Sequence, residues 1–189
     1  MHKERLNRAV VVRAAAELLD SDEGTNSTLA DLAAKLGVRT PSLYNHISGV
    51  DDLHVGVALY GTEELSKRIG RVAIGRSGDA ALWAIASAYR EFARERPGLY
   101  QATLRAPANN EPSRVDASND IIDVLKVVLE PYGFSDERAI HVIRGLRSLL
   151  HGFVSLELVG GFGIPLDPVE SYQYLIATFV AGLQQESRI

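Results

Sequence analysis

Apolar side chains recur at spacings of three and four residues along almost the whole 189-residue chain. This spacing places them on one face of an α-helix, whereas a half-buried strand needs strict alternation, which the sequence never sustains over a strand length. Leu6, Val10, Ala14 and Leu18 show the pattern in the first predicted helix. We therefore expect an all-α protein, and a hydrophobic content of 46% suffices for a sizeable core.

Glycines, prolines and polar runs divide this pattern into separate helices. A glycine-containing junction at residues 74–78 separates two regions of the chain. We predict an N-terminal domain over residues 1–49, a connecting fourth helix over 50–72 and a C-terminal domain over 73–189. The predicted helices span residues 3–19, 28–36, 40–48, 50–72, 79–96, 99–105, 113–130, 135–159 and 168–186.

Two short helices joined by a tight turn lie within the first region. Thr28 is a suitable N-cap with Asp31 at the fourth position, and Gly37 can end the helix that follows. Pro41 fits the first turn of the next helix. Small and apolar side chains can fill the joint between the two helices, namely Leu32, Ala33, Leu36, Val38 and Leu43. This pattern is that of a helix-turn-helix.

The outer face of the second short helix is polar. Its side chains can form hydrogen bonds and have no apolar partner in the pattern, namely Arg39, Thr40, Ser42, Tyr44 and Asn45. Such a face suits the major groove of DNA, which a recognition helix enters. An ordinary helical hairpin with a solvated face would give the same local pattern, and the motif alone leaves this alternative open.

Several N-terminal segments resemble the tetracycline-repressor (TetR) family. They occur in the order of the family and are Ala15-Ala16-Glu17-Leu18-Leu19, Thr28 to Val38, Leu43-Tyr44-Asn45-His46 and Asp52-Leu53. Further on, His151-Gly152 resembles the C-terminal WHG domain of the same family, although Arg147 stands where that domain has tryptophan. The resemblance implies a transcriptional repressor with an N-terminal helix-turn-helix and a C-terminal helical domain for ligand binding and dimerisation. Such a repressor binds a palindromic operator as a homodimer and is released by a small-molecule effector.

The resemblance also assigns roles in DNA binding. Thr28, Tyr44 and His46 match positions that contact phosphates, with packing of Tyr44 and helix capping by His46 as alternatives. Arg39 can pair with guanine O6 and N7, which is worth about 1–3 kcal/mol of discrimination, or it can contact a phosphate nonspecifically. The positions that face the bases are those of Arg39, Thr40, Pro41, Ser42 and Asn45.

The charge distribution is unusual for a DNA-binding domain. Residues 1–48 carry six Lys or Arg side chains and six Asp or Glu side chains, and the whole chain has a net charge of −4. The family often has lysine at the start of the fourth helix, where this sequence has Val50 followed by Asp51 and Asp52. We therefore expect modest affinity for DNA and a shallow dependence of that affinity on salt.

The C-terminal region is expected to bind a partly apolar effector and to form the dimer. The resemblance implies a pocket, with core packing as the alternative for each aromatic, lined by Trp83, Tyr89, Phe92, Tyr100, Leu104, Val124, Val128, Arg147 and His151. The apolar faces of the last two helices predict a four-helix dimer interface. Its members would be Phe153, Leu156, Tyr172, Ile176, Phe179 and Leu183, with burial inside one chain as the alternative.

Other functional classes find little support in the sequence. The chain has no cysteine, which excludes disulfides and Cys-ligated metals and fits a reducing cytoplasm. Its five histidines show no metal-binding spacing, so we expect no catalytic residue, metal or cofactor. Charges interrupt every apolar run before it could span a membrane, so we expect no membrane partner. A helical ligand-binding or interaction protein without specific DNA binding is the alternative, and an enzyme on a helical scaffold is the weaker one.

Overall fold

The computed structural model describes residues 5–21, 27–108 and 110–186. Throughout these residues the regular structure is helical, without strands, as the spacing of apolar residues predicts. A short 3₁₀ turn at Glu130–Tyr132 follows the seventh α-helix. The α-helices are α1 (Arg8–Leu19), α2 (Leu29–Leu36), α3 (Thr40–Leu43), α4 (Val50–Ala73), α5 (Gly78–Glu95), α6 (Pro97–Ala102), α7 (Pro112–Leu129), α8 (Asp136–Leu158) and α9 (Pro168–Glu186).

α1 and α3 are several residues shorter than the sequence predicts, and α6 lies at Pro97–Ala102 instead of 99–105. α1 begins at Arg8, because the Asn7 side chain accepts the Val10 N–H at 2.9 Å and so caps the helix there. The predicted start near residue 3 is therefore wrong for residues 5–7, while residues 1–4 lie outside the described part. α3 ends at Leu43, and residues 44–46 form a turn instead of a continued helix.

By packing, the chain divides into two compact units. The first consists of Met1–Glu64 and Arg96–Ala117, and the second of Leu65–Glu95 and Ser118–Ile189. The boundaries of these units lie within α4 and α7 and between α5 and α6. They differ from the functional division expected from sequence, in which residues 1–49 read DNA and residues 73–189 bind effector and dimerise. That functional division stays a prediction.

In the first unit, the C-terminal end of α1 contacts the first turn of α6. Asp20, the C-cap of α1, accepts the Leu99 N–H at 3.0 Å and pairs with the guanidinium of Arg96. Because the Leu99 amide lies in the first turn of α6, the carboxylate of Asp20 caps that helix from another part of the chain. Gly98 lies directly against the backbone carbonyl of Leu19, with no space for a side chain.

In the second unit, a largely buried ion pair connects α5 with α8. Arg90 Nε donates to Glu157 Oε2 at 2.9 Å, and the two side chains are only 12% and 14% exposed. The Arg90 guanidinium also lies 5.6 Å from the ring centroid of Tyr172 on α9. The Tyr172 hydroxyl donates to the Ala86 carbonyl at 2.7 Å, so α5, α8 and α9 are held together by polar contacts inside an apolar core.

Two features are absent from the described part of the chain. No helix there is both long and apolar enough to cross a membrane. The same residues contain no group of three or more His, Asp or Glu side chains arranged to hold a metal ion.

The contact between Gly98 and Leu19 leads to the first prediction. Gly98→Ala should lower the free energy of unfolding by about 1–3 kcal/mol, because the added methyl group overlaps a backbone carbonyl that cannot move freely. Denaturant unfolding followed by circular dichroism measures the change. Gly70→Ala is the matched control, because a Cβ at that helical position meets nothing within 4 Å and alanine is the better helix former. Equal stability of Gly98→Ala and wild type would contradict the packing described.

Candidate nucleic-acid interface

The helix-turn-helix starts at a complete capping box. The Asp31 N–H donates to Thr28 Oγ1 at 3.3 Å, and the Thr28 N–H donates to Asp31 Oδ2 at 2.8 Å. The Thr28 hydroxyl also donates to Asp31 Oδ2, at 2.7 Å. Hydrogen bonds from the Thr28 side chain and then from its backbone lower the pKa of Asp31. A phosphate at Thr28 would have to share these donors with a carboxylate.

The turn between α2 and α3 depends on glycine. Gly37 has φ 66° and ψ 36°, in the left-handed region that glycine adopts without steric cost. Its N–H donates to the Ala34 carbonyl at 3.0 Å, and the Val38 N–H donates to the Ala33 carbonyl at 3.0 Å. These bonds close the end of α2 and direct the chain into α3.

Buried apolar residues anchor the second helix of the motif. Leu43 is completely buried and Ile47 is 3% exposed. Arg39, the N-cap of α3, has an extended backbone, and its carbonyl accepts the Ser42 N–H at 2.8 Å. One side of α3 and the following turn is thus packed inward, which leaves the other side to the solvent.

The residues proposed to contact DNA lie on that open side or at the start of α2. Tyr44 is 55% exposed, which disfavours the alternative that its ring belongs to the core. In the described part of the chain, Arg39 is exposed and forms no ion pair. Thr28, Arg39, Pro41, Tyr44 and Asn45 are exposed, and Thr40, Ser42 and His46 are half-buried. All of them are accessible to a ligand.

An ion pair lies next to these residues, at the turn between α3 and α4. Arg8 donates to both carboxylate oxygens of Asp52, at 2.6 and 2.7 Å, and Asp52 also accepts the Ser48 N–H at 2.8 Å. The hydrogen bond from Arg8 and then that from Ser48 lower the pKa of Asp52 to about 2. In the sequence, Arg8 is only one of the basic residues of the N-terminal region, because nothing local links it to a residue 44 positions away.

The residues expected to line an effector pocket are distributed over both units. Tyr100 and Leu104 belong to the first unit and the remaining seven to the second. Phe92 is buried beneath the Arg68 guanidinium, 5.6 Å from its ring centroid. Arg147 is exposed on α8, which does not favour a place in an apolar cavity. Of the others, Tyr89, Tyr100 and Val128 are buried, and Trp83, Leu104, Val124 and His151 are half-buried.

Most of the predicted dimer residues are buried inside one chain. Only Leu156, at 50% exposure, and the half-buried Phe179 offer surface to a partner. The other four predicted members are each less than 9% exposed, namely Phe153, Tyr172, Ile176 and Leu183. We correct the prediction for these four, because the apolar face of α8 and α9 packs within its own chain. The spacing of apolar residues identified the apolar face of α8 and α9. It could not tell whether that face packs within one chain or against a second chain.

Comparison with known proteins identifies the family. The family model for the tetracyclin repressor-like C-terminal domain matches residues 82–179. The HTH-type transcriptional regulator YobS of Bacillus subtilis is 37% identical, over 94% of this chain and 93% of its own length. The chain belongs to the TetR family. A second HTH-type regulator, Rv0681 of Mycobacterium tuberculosis, is 31% identical over 97% of this chain and 84% of its own length.

The fold is also that of the TetR family. A TetR variant from Acinetobacter baumannii, solved in complex with minocycline, matches with a TM-score of 0.71 and 21% identity. The match covers 97% of this chain and 99% of that structure. TetR-family regulators bind operator DNA as dimers. Family membership therefore makes this chain a DNA-binding transcriptional regulator and not an enzyme.

The ion pair at Asp52 leads to a prediction about pH. Since the folded-state pKa of about 2 lies below the ordinary value of 3.8, the pair stabilises the fold above about pH 4. This contribution should be lost as the pH falls towards 2. An NMR titration of the side-chain carboxyl should give a midpoint near 2 in wild type, moved up towards 3.8 in Arg8→Ala. A midpoint near 3.8 in both proteins would show that the pair does not form in solution.

Proposed function

We propose that this TetR-family regulator is a repressor that binds a palindromic operator as a homodimer and releases it when a small molecule binds. The exposed polar face formed by Arg39, Tyr44 and Asn45 carries the proposal, because the buried Leu43 and Ile47 anchor it. An anchored short helix and turn with an open polar face is suited to contact with the major groove. The protein would act in the cytoplasm, where the operator lies.

Within this face, the residues divide into base readers and phosphate contacts. Arg39 has a free guanidinium fork in the described structure and is assigned to guanine, with Asn45 as a second base reader. Tyr44 and His46 are assigned to the phosphate backbone, together with Thr28 at the start of α2. Thr40, Pro41 and Ser42 complete the base-facing surface. Because Pro41 has only an apolar surface, it would meet a thymine methyl group.

The dimer interface is assigned to the outer face of α8 and α9. Along α8, exposed residues recur every three or four positions, at Gly145, Ser148, Gly152 and Leu156. A Cβ at Gly152 or at Gly182 on α9 would meet no described atom of the same chain within 4 Å. Small side chains allow helices of a second copy to approach closely, as in the four-helix interface expected from sequence.

Large apolar side chains are also exposed on α8, on α9 and between these helices. Leu156 and Tyr174 are 50% and 77% exposed. In the segment between α8 and α9, Val159, Ile164 and Leu166 are each at least 70% exposed. Exposed large apolar residues in such number are typical of a protein that has an interaction surface. In a symmetric pair the same surface would be buried on both copies, and the two α3 helices could meet half-sites about 34 Å apart.

The effector is proposed as a partly apolar small molecule. The TetR structure from Acinetobacter baumannii was solved in complex with minocycline. Of the predicted pocket residues in the C-terminal region, Trp83, Val124 and His151 are half-buried, so part of each side chain is exposed. We therefore place the effector site in the C-terminal region, with release of operator DNA as its consequence.

Selection of random duplex DNA on the purified protein tests the operator proposal. We expect enrichment of an inverted repeat by wild type and a relaxed preference at one base pair of each half-site in Arg39→Ala, because Arg39 no longer reads that base pair. Arg13→Ala, which removes a charge from α1, is the control and should select the same repeat. Failure of wild type to enrich any sequence at low salt would favour the helical ligand-binding protein without specific DNA binding. The selected duplex also provides the assay for release by added small molecules.

A substitution on the outer face of α8 tests the dimer. Leu156→Glu should convert the protein to a monomer at micromolar concentration, because it would place charges in an apolar interface. Sedimentation velocity measures the mass. Ile74→Glu is the matched control, since Ile74 is 76% exposed at the end of α4 and lies outside the proposed face. A monomeric wild type, or a Leu156→Glu variant that remains dimeric, would contradict the assigned face.

A further inference from the structure

Arg8 makes four polar contacts at the turn between α3 and α4. Its two terminal nitrogens donate to the two carboxylate oxygens of Asp52, Nη1 to Oδ2 at 2.6 Å and Nη2 to Oδ1 at 2.7 Å. The same nitrogens reach the backbone carbonyls of His46 at 3.4 Å and of Asp52 at 3.3 Å. A bidentate pair of this kind fixes both the place and the orientation of the guanidinium. The first residue of α1 is thereby attached to both sides of the turn.

Asp52 also organises the turn itself. Its Oδ2 accepts the Ser48 N–H at 2.8 Å and the Ser48 hydroxyl at 3.2 Å. Ser48 follows the accessible residues Tyr44 and His46 by only a few positions. One connected set of hydrogen bonds therefore extends from α1 through Asp52 to the segment that is proposed to contact phosphates.

Gly56 leaves room for this arrangement. It lies one turn after Asp52 on α4, and a Cβ at this position would be 3.3 Å from Arg8 Nη2 and 2.8 Å from Val12 Cγ2. Glycine inside a helix is unfavourable relative to alanine. Its presence here is explained by the close approach of α1 and of the Arg8 guanidinium to α4.

The pair is too exposed to serve mainly as a source of stability. The side chains of Arg8 and Asp52 are 46% and 28% exposed, and exposed ion pairs contribute little to the free energy of folding. The location of the Arg8–Asp52 pair indicates its role better than its contribution to stability does. Without Arg8, an uncompensated carboxylate would stand beside the turn that carries Tyr44 and His46. A DNA phosphate approaching that turn would be repelled.

We propose that Arg8 is a positioning residue for DNA recognition, which holds the α3–α4 turn in place and cancels the charge of Asp52 so that Tyr44 and His46 can meet the phosphate backbone. Arg8 acts through Asp52 and does not itself contact a phosphate. It offsets the acidic first turn of α4, where Val50 stands in place of a lysine. This inference rests on the DNA-contacting face proposed above.

The test measures affinity for the selected duplex by fluorescence anisotropy over a range of salt concentrations. The variants are Arg8→Ala, Asp52→Asn and the double variant Arg8→Ala/Asp52→Asn. Arg8→Ala should bind at least about tenfold more weakly, since it leaves a charged partner unpaired. The double variant should recover to within about threefold of wild type, and Asp52→Asn alone should bind at least as well as wild type. If Arg8→Ala does not fold, as judged by circular dichroism, Arg8→Gln replaces it in the same comparison.

The salt dependence separates this role from a direct phosphate contact. A lost phosphate contact lowers the slope of log K against log salt by about 0.9 per site, and no rescue by Asp52→Asn would follow. We expect the double variant to keep the slope of wild type. A lowered slope without rescue, or unchanged affinity of Arg8→Ala, would overturn the inference.

Two control variants show whether a negative result concerns the role of Arg8 or the proposed DNA-contacting face. Arg13→Ala removes the same charge from the same helix, and an equal loss of affinity would show a general effect of charge and so overturn the inference. Arg39→Ala tests the DNA-contacting face independently. If Arg39→Ala weakens binding while Arg8→Ala does not, only the role of Arg8 fails. If Arg39→Ala also binds like wild type, the proposed face itself is wrong.

Discussion

The carboxylate of Asp20 ends one helix and begins another. It belongs to the C-cap of α1, and it accepts the Leu99 amide in the first turn of α6 while it pairs with Arg96. Because Gly98 has no side chain, α6 can lie directly against the end of α1. The compact unit that contains the helix-turn-helix therefore includes residues 96–117 as well as the N-terminal segment. The helices proposed to contact DNA therefore lie in a compact unit that a segment distant in sequence completes.

α1 connects the contact at Asp20 with the helix-turn-helix. Its buried side chains, Val11, Ala15 and Ala16 among them, are small or β-branched, which lets the helices around it pack closely. One end of α1 is held at Asp20 and the other at Arg8. In both contacts a carboxylate accepts a backbone N–H and also pairs with a guanidinium. Each contact therefore fixes the relative orientation of the segments that it joins as well as the distance between them.

The features predicted correctly from sequence are those encoded within a few neighbouring residues. The capping box of Thr28 and Asp31 and the left-handed Gly37 fall in this class, because their partners are at most four residues away. The contacts of Arg8 with Asp52 and of Asp20 with Leu99 could not be predicted, since packing alone brings these partners together. α3 was predicted too long because Leu43 and Ile47, both buried, are four residues apart, a spacing that a continued helix would satisfy equally well. Residue spacing cannot distinguish that helix from the turn at residues 44–46.

Four of the six predicted dimer residues are buried in their own chain, for a different physical reason. Phe153 and Tyr172 have the apolar character of an interface, and they meet each other at 4.9 Å between ring centroids within one chain. The outward side of the same helices instead carries Gly152 and Gly182, each of which weakens a helix by about 1 kcal/mol relative to alanine. Inside the described chain nothing occupies the space that they leave. In the proposed homodimer, a second copy would fill it, since TetR-family regulators bind operator DNA as dimers. Close packing there would hold the two recognition helices at the fixed separation that two half-sites require.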